Sequence, residues 1–545
     1  MSDICTPLRN AARWLFLAAL VYAPWAYGCT TAATIRGLNI ILGVALALWV
    51  VARLTGYWLS VRGYGAFAKR RGYQLSVKGD RKKAGQLPPT NEELITDNRV
   101  RSVAERTDNE EPITDNSVRS RTRPPDNQEL ITDNHARSRA SPNNQQQITD
   151  NQQQRRWALL APCALLLLLG WWMTLNARWI YDAEFFLFIP RAALFGVGPG
   201  SVDYSISVAW MLRATLLFGV VLFAAELSRD PVWLMRLWWI IALAGGSIAL
   251  LGLIQKATGA GMIFWQRPGT GNLTTFFATY YAHGNAGAYL NLVLPAAIAL
   301  ALRGFVRKSA PLIRAVSLVL CLLLVVAVVA NTSRGGQAVA GLLVVALTIC
   351  LLDILFSRVR RMEKKTLLLA AGVIAFALLA IAGASHLDQS LGRWHETENK
   401  LESNSRWLAS RAALRAVGDA GWLGFGPGTF RVVLPYYTNG LGPKVGGIWR
   451  FLHEDYLQTL MEWGWIGSAF WALLFFGSIC VAVRTLRRSR DIPLSGRQRL
   501  FLTAVVLALA GIALHALVDF PLQIASLQLY VATYVGICWG SSRWN

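Results

Sequence analysis

Charge is scarce in this chain. Of 545 residues only 16% are charged and 54% are hydrophobic, whereas an ordinary soluble domain carries about 25% charged residues. That composition excludes a conventional soluble fold. Acidic residues are the scarcer kind, with 31 Asp and Glu against 54 Lys and Arg, a formal net charge of +23. Such an excess could point to nucleic acid, but no basic stretch is interleaved with exposed aromatics on a soluble domain, and nucleic acid is excluded as a partner. Cysteine is sparse too. Cys5, Cys29, Cys163, Cys321, Cys350, Cys480 and Cys538 form no CxxC pair, and six of the seven lie in or at the ends of apolar runs. They read as small apolar residues, with no disulfide framework and no zinc site. HExxH and HxH spacings are missing, so no metal is expected. The first apolar run has no small-residue cleavage site and is followed directly by another, so it does not read as a cleavable signal peptide.

What the chain has is apolar runs long enough to cross a bilayer, which takes roughly 20 residues each. They fall at 12–31, 36–54, 157–177 and about 205–227, 232–256, 283–302, 312–331, 336–356, 366–384, 453–483, 499–518 and 521–540. The fold class expected is an all-α polytopic membrane protein with about 12 spans and one large loop, 385–452. Residues 178–204, aromatic and broken by Pro190 and Pro199, read as an interfacial segment.

The loops alternate in charge. RGFVRK (303–308), SRVRRMEKK (357–365) and RRSRDIPLSGRQR (487–499) are strongly basic, which places them in the cytoplasm. The loops near 178–204, 257–282 and 385–452 then lie on the far side, and both termini are cytoplasmic. The organisation expected is a transmembrane hairpin (1–56), a cytoplasmic loop (57–156), further spans (157–310), a core with the far-side loop (311–484) and a C-terminal pair (485–545). Within the cytoplasmic loop, a basic juxtamembrane stretch precedes low complexity. ITDN recurs at 95, 113, 131 and 148. The copies are polar and offer no apolar face to stack, so 84–156 reads as a disordered insertion.

Four polar features converge on the far side. NTSRGG (331–336) puts Arg334 at a membrane boundary, where a charge usually faces a polar cavity or a charged partner. Gly335 and Gly336 allow close approach of backbone or ligand; a snorkelling loop arginine is the plainer alternative. NSRWLASRAALRAVGD (404–419) has helical spacing and carries Arg406, Arg411 and Arg415. The loop 385–452 holds 8 Lys and Arg against 5 Asp and Glu, which suits an anionic substrate such as a diphosphate; singly, Arg411 and Arg415 also fit a solvated helix face. GFGPGTF (424–430) forces an irregular turn whose backbone, at Gly426 and Gly428, could cradle phosphate, although it fits neither the Rossmann nor the P-loop pattern. His453, Glu454 and Asp455 open an apolar run, where carboxylates suit a helix N-terminus. A histidine beside a carboxylate at that boundary reads as a general base or as a capping residue. His283, Asn285 and Asn291, and His515 with Asp519 one turn on, are further candidates for this face or for helix–helix contacts.

The combination of SRGG (333–336), SRWLASRAAL (405–414) leading into GFGPGTF, and HEDYLQTLMEWGWIG (453–467) resembles the O-antigen ligase and polymerase superfamily of bacterial envelope proteins. The last piece is the most specific: His, then Asn, Ser or Gln, nine residues, then Gly-x-x-Gly/Thr/Tyr. His453, Gly464 and Gly467 fit, while Glu454 departs, as does Ser410 where the family has Trp. The resemblance covers about 205–540 and leaves out the ITDN insertion. It implies a metal-independent transferase of the bacterial inner membrane with its site on the periplasmic side. The donor implied is a glycan on undecaprenyl diphosphate, and the acceptor a sugar hydroxyl on lipid A–core or on another lipid-linked glycan. Carried over by position, Arg334 and Arg406 bind the diphosphate and His453 acts as base or orients the acceptor. Arg411, Arg415, Gly426, Gly428, Glu454 and Asp455 are the substrate-binding candidates. A polymerase of the same superfamily, a protein-glycosylating enzyme or a transporter are the competing readings; no internal similarity between halves supports the last.

Overall fold

The computed structural model describes residues 2–55, 142–195, 198–266, 275–307, 309–359, 405–442, 445, 449–488 and 494–544. Among them are thirteen α-helices. These are α1 (Ser2–Trp25), α2 (Ala32–Thr55), α3 (Pro142–Leu175), α4 (Tyr204–Leu227), α5 (Pro231–Ala257), α6 (His283–Val306), α7 (Pro311–Ala330) and α8 (Arg334–Val359). They are followed by α9 (Ser405–Ala420), α10 (Phe430–Thr438), α11 (Asp455–Arg488), α12 (Gly496–His515) and α13 (Ala525–Ser541). Residues 1–52 and 152–545 make one compact unit, and 53–151 a second. The span expected at 366–384, the start of the far-side loop and the ITDN copies at 95, 113 and 131 lie outside the described residues.

Seven described helices are long and apolar enough to cross a membrane: α2, α4, α5, α6, α7, α11 and α12. Of the other expected spans, α13 has only 17 residues and the apolar parts of α3 and α8 are equally short. The interfacial segment after α3 contains an antiparallel hairpin, β1 (Trp179–Asp182) paired with β2 (Leu187–Pro190), so the fold is not purely helical. The helix α3 begins at Pro142, inside the stretch read as disordered. Gln is a fair helix former, and here the Gln-rich tract adjoins an apolar run that is already helical.

The centre of the bundle is α13. Residues 525–538 are buried without interruption, as expected of a helix that is apolar all round. It packs on α4, α11, α12 and α1. Its tyrosines are satisfied internally: Tyr530 donates to the Leu20 carbonyl at 2.9 Å and accepts from Tyr289 at 3.2 Å, and Tyr534 donates to the Leu292 carbonyl at 2.9 Å. Such bonds matter where no water is present to replace them. One core therefore runs through α1, α4, α5, α6 and α13, across the sequence divisions drawn at 310 and 484.

A second, smaller core lies between Ala409 and Met461. The face of α9 formed by Ala409, Ala412, Ala413 and Ala416 recurs at helical spacing and packs on Phe430, Val433 and Leu434 of α10 and on Met461 of α11. Small side chains let these short helices approach closely. Helix α11 is broken at Gly464, with φ 60° and ψ −169°, a conformation only glycine adopts freely. A side chain there would also collide with the backbone of Trp422, whose carbonyl accepts from Ile466 N at 3.0 Å. The expected span at 453–483 thus divides: Asp455–Trp463 is a separate helical segment, and the long apolar run follows the break.

Candidate active site

The three residues that open α11 each do something different. Glu454 caps the helix, accepting from Tyr456 N at 3.2 Å and Leu457 N at 2.7 Å, as a side-chain oxygen does at a helix start. Burial raises its carboxyl pKa, and those two N–H groups pull it back. Asp455 is fully buried and staples α11 to the turn between α12 and α13. It accepts from Leu522 N at 2.8 Å and Gln523 Nε2 at 3.0 Å, while its own N–H donates to the Ala516 carbonyl at 2.9 Å. Tyr456 adds a bond from its hydroxyl to the Ala513 carbonyl at 2.8 Å. Glu454 and Asp455, substrate-binding candidates by sequence, are engaged in this structure in capping and stapling the protein itself.

That staple fixes the turn carrying Asp519 against His453. The Nδ1 of His453 lies 3.0 Å from Asp519 Oδ1. The pair is held between Phe520, whose ring centre is 4.8 Å from the imidazole, and Trp449 at 6.0 Å. Burial by itself would raise the Asp519 carboxyl. The hydrogen bond from His453 and the charges of His453, His515 and Arg406 outweigh it and hold the carboxyl below its usual value. The expected arrangement of His515 and Asp519 on one helix is corrected: α12 ends at His515, and Asp519 sits in the following turn, its N–H donating to the His515 carbonyl at 3.1 Å.

Other sequence candidates gather at the same turn. The exposed Arg334 is the first residue of α8, and Ser333 caps that helix through Gly336 N at 3.1 Å. Gly335 lies against Val518 and His515; a β-carbon there would stand 3.2 Å and 3.7 Å from them. Gly336 meets Gly287 of α6 backbone to backbone, and a side chain on Gly284 would strike the Asp519 carboxylate. Asn331 donates to the His283 carbonyl at 3.0 Å, and Asn291 to the Gly336 carbonyl at 2.9 Å. The SRGG segment, the start of α6, the His453–Asp519 pair and the charge of Arg406 on α9 therefore belong to one end of the bundle.

Arg411 and Arg415 take local partners. Arg411 stacks over Trp407 at 4.7 Å, and Arg415 donates to the Tyr437 carbonyl at 3.4 Å. The GFGPGTF turn is not an open cradle. Its N–H groups are spent on α11: Gly426 on the Glu462 carbonyl at 2.9 Å, and Gly428 and Phe430 on the Glu462 carboxylate at 3.0 Å and 3.4 Å. Gln458 completes that carboxylate at 3.0 Å. Sequence reasoning passed over Glu462, although an acidic residue in an otherwise apolar run is a signal in itself.

No curated protein matches the chain at a significant level. The family model for O-antigen ligase matches residues 318–472, a stretch that takes in α7, α8, α9, α10, the His453 segment and the Gly464 break but stops short of Asp519. Residues 318–472, less than a third of the chain, are thus similar to the O-antigen ligase domain, and the apolar helices make the protein a multi-pass membrane protein.

Proposed function

We propose that the protein transfers a glycan from undecaprenyl diphosphate to a sugar hydroxyl on the periplasmic face of the bacterial inner membrane. The observation that carries this reading is the His453–Asp519 pair at 3.0 Å, set beside the SRGG segment and within the field of Arg406. The alternation of basic loops supports the sidedness.

In this scheme Asp519 holds the imidazole by Nδ1 and leaves Nε2 to take the proton of the acceptor hydroxyl. Arg334 and Arg406 bind the diphosphate. Charge builds on that leaving group as the anomeric carbon passes to the acceptor oxygen, so cations placed there stabilise the transition state more than the ground state. The spans around 205–356 shelter the prenyl chain.

The test is deletion of the gene in its host, complementation with wild type or His453→Ala, and display of the envelope glycans on a gel. Restoration of long-chain glycan by wild type alone is the expected result. Loss of laddering assigns polymerisation; loss of attachment with free polymer intact assigns ligation to lipid A–core. Glycans unchanged by the deletion would overturn the reading and favour a transporter.

A further inference from the structure

Helices α6, α7 and α12 each bring one end to the candidate site: α6 begins at His283, α7 ends just before Asn331, and α12 ends at His515. All three are long and apolar enough to span a membrane, so their other ends lie about 30 Å away. Four arginines collect at those remote ends. Arg303 stands in the last turn of α6 and Arg307 caps it. Arg314 lies in the first turn of α7, and a β-carbon on Gly304 of α6 would stand 3.5 Å from its Cγ. Arg497 is the second residue of α12. The charges of Arg307 and Arg497 both act on Arg303, and that of Arg307 acts on Arg497.

Arg303, Arg314 and Arg497 are half-buried, and Arg307 is exposed. Among the described residues no carboxylate acts on Arg303 or Arg497, and none of the four guanidiniums has an ion pair. Cations gathered in this way repel one another, and burying them in part costs free energy unless a counter-charge answers. Arg314 and Arg497 also stand in first turns, where the helix dipole disfavours a cation. Helix α7 starts without a side-chain cap, so its first N–H groups add to the donors at this end. The tendency of cytoplasmic loops to be basic explains cations in water. It does not explain unpaired guanidiniums packed between three helix ends.

An anion satisfies every one of these features. Phosphate oxygens match the planar guanidinium fork, and four cations suit two phosphates. At the boundary of three spans, phosphates are at hand in the lipid headgroups. We propose that the ends of α6, α7 and α12 remote from the candidate site bind the headgroup of a lipid that carries two phosphates. Binding there does not depend on the transfer reaction. It would tie together three helices whose opposite ends frame the candidate site.

The experiment titrates the purified full chain in detergent with cardiolipin, which has two phosphates, and with phosphatidylglycerol, which has one, and counts bound lipid by native mass spectrometry. Cardiolipin is expected to bind at least about tenfold more tightly, equivalent to about 1.4 kcal/mol. Arg303→Gln and Arg497→Gln are each expected to bring that ratio near unity. Arg484→Gln, which removes an exposed cation from the last part of α11, is expected to leave it unchanged. Equal affinities in the wild type, or binding of neither lipid, would overturn the proposal. So would displacement of cardiolipin by millimolar pyrophosphate, which would assign the cluster to a soluble anion. The wild-type comparison decides the matter even if a variant fails to fold.

Discussion

His453 and Asp519 stand 66 residues apart in the chain and 3.0 Å apart in space. The contact is enforced from outside the pair. Asp455, the second residue after His453, accepts two hydrogen bonds from the Leu522–Gln523 segment just beyond Asp519. The histidine and its partner are thereby locked in register by a buried carboxylate between the same two segments. Pre-positioning of this kind lets a base act without reorganisation when the reaction begins.

Removal of the imidazole tests that arrangement directly. His453→Ala is expected to lower glycan transfer by about 10²–10⁴-fold, the usual contribution of a general base, with membrane insertion unchanged. Asp519→Asn keeps the shape but removes the charge, and is expected to shift the pH profile of transfer as well as its rate. Parallel assays of purified variants across pH read both effects.

The arginines carry different expectations. Arg334→Ala, which removes the cation, and Arg406→Lys, whose ammonium lacks the planar fork that clamps a diphosphate, are expected to lose most long-chain glycan. Arg411→Lys is expected to leave it nearly unchanged, since that guanidinium stacks on Trp407. Gel analysis of complemented strains checks all three, and full activity of Arg406→Lys would demote that residue to a surface cation.

Acid stability follows from the carboxyl of Asp519, which its surroundings hold below the ordinary value. A carboxyl depressed in the folded state contributes stability above its unfolded pKa of about 3.9 and loses it as pH falls through the lower folded value. The difference in melting temperature between wild type and Asp519→Asn is therefore expected to shrink below about pH 4. Scanning thermal unfolding from pH 7 downward measures it.

Two structural variants probe the break in α11. Gly464→Ala forces a side chain into a glycine-only conformation and against the Trp422 backbone, at an expected cost of about 1–3 kcal/mol. Glu462→Ala leaves the N–H groups of Gly428 and Phe430 without acceptors, about 1–3 kcal/mol each when buried. Both are expected to lower the melting temperature, and Glu462→Ala to speed proteolysis within 405–452.

Much of this molecule was written in the order of its residues. Long apolar runs, with few charges inside them, determined that the chain is a multi-pass membrane protein and where most helices lie, because hydrocarbon tolerates only backbone that satisfies itself. The spacing of His453, Gly464 and Gly467 pointed to the O-antigen ligase superfamily, and the family match at 318–472 agrees. Local pattern also marked Arg334, since a charge at an apolar boundary stands out, and the resemblance marked Arg406. It did not decide which polar groups would meet. The glycines at 426 and 428 looked like a phosphate cradle, yet their N–H groups are consumed by α11 and Glu462, residues more than 30 positions away. Asp455 looked like a ligand and is a buried staple. A carboxylate's role depends on which donors reach it; those donors come from the start of α10, set by packing on α9 and α11, and from the α12–α13 turn. Periodicity records burial and helix; only the tertiary structure, by bringing distant donors and acceptors together, assigned His453 its partner.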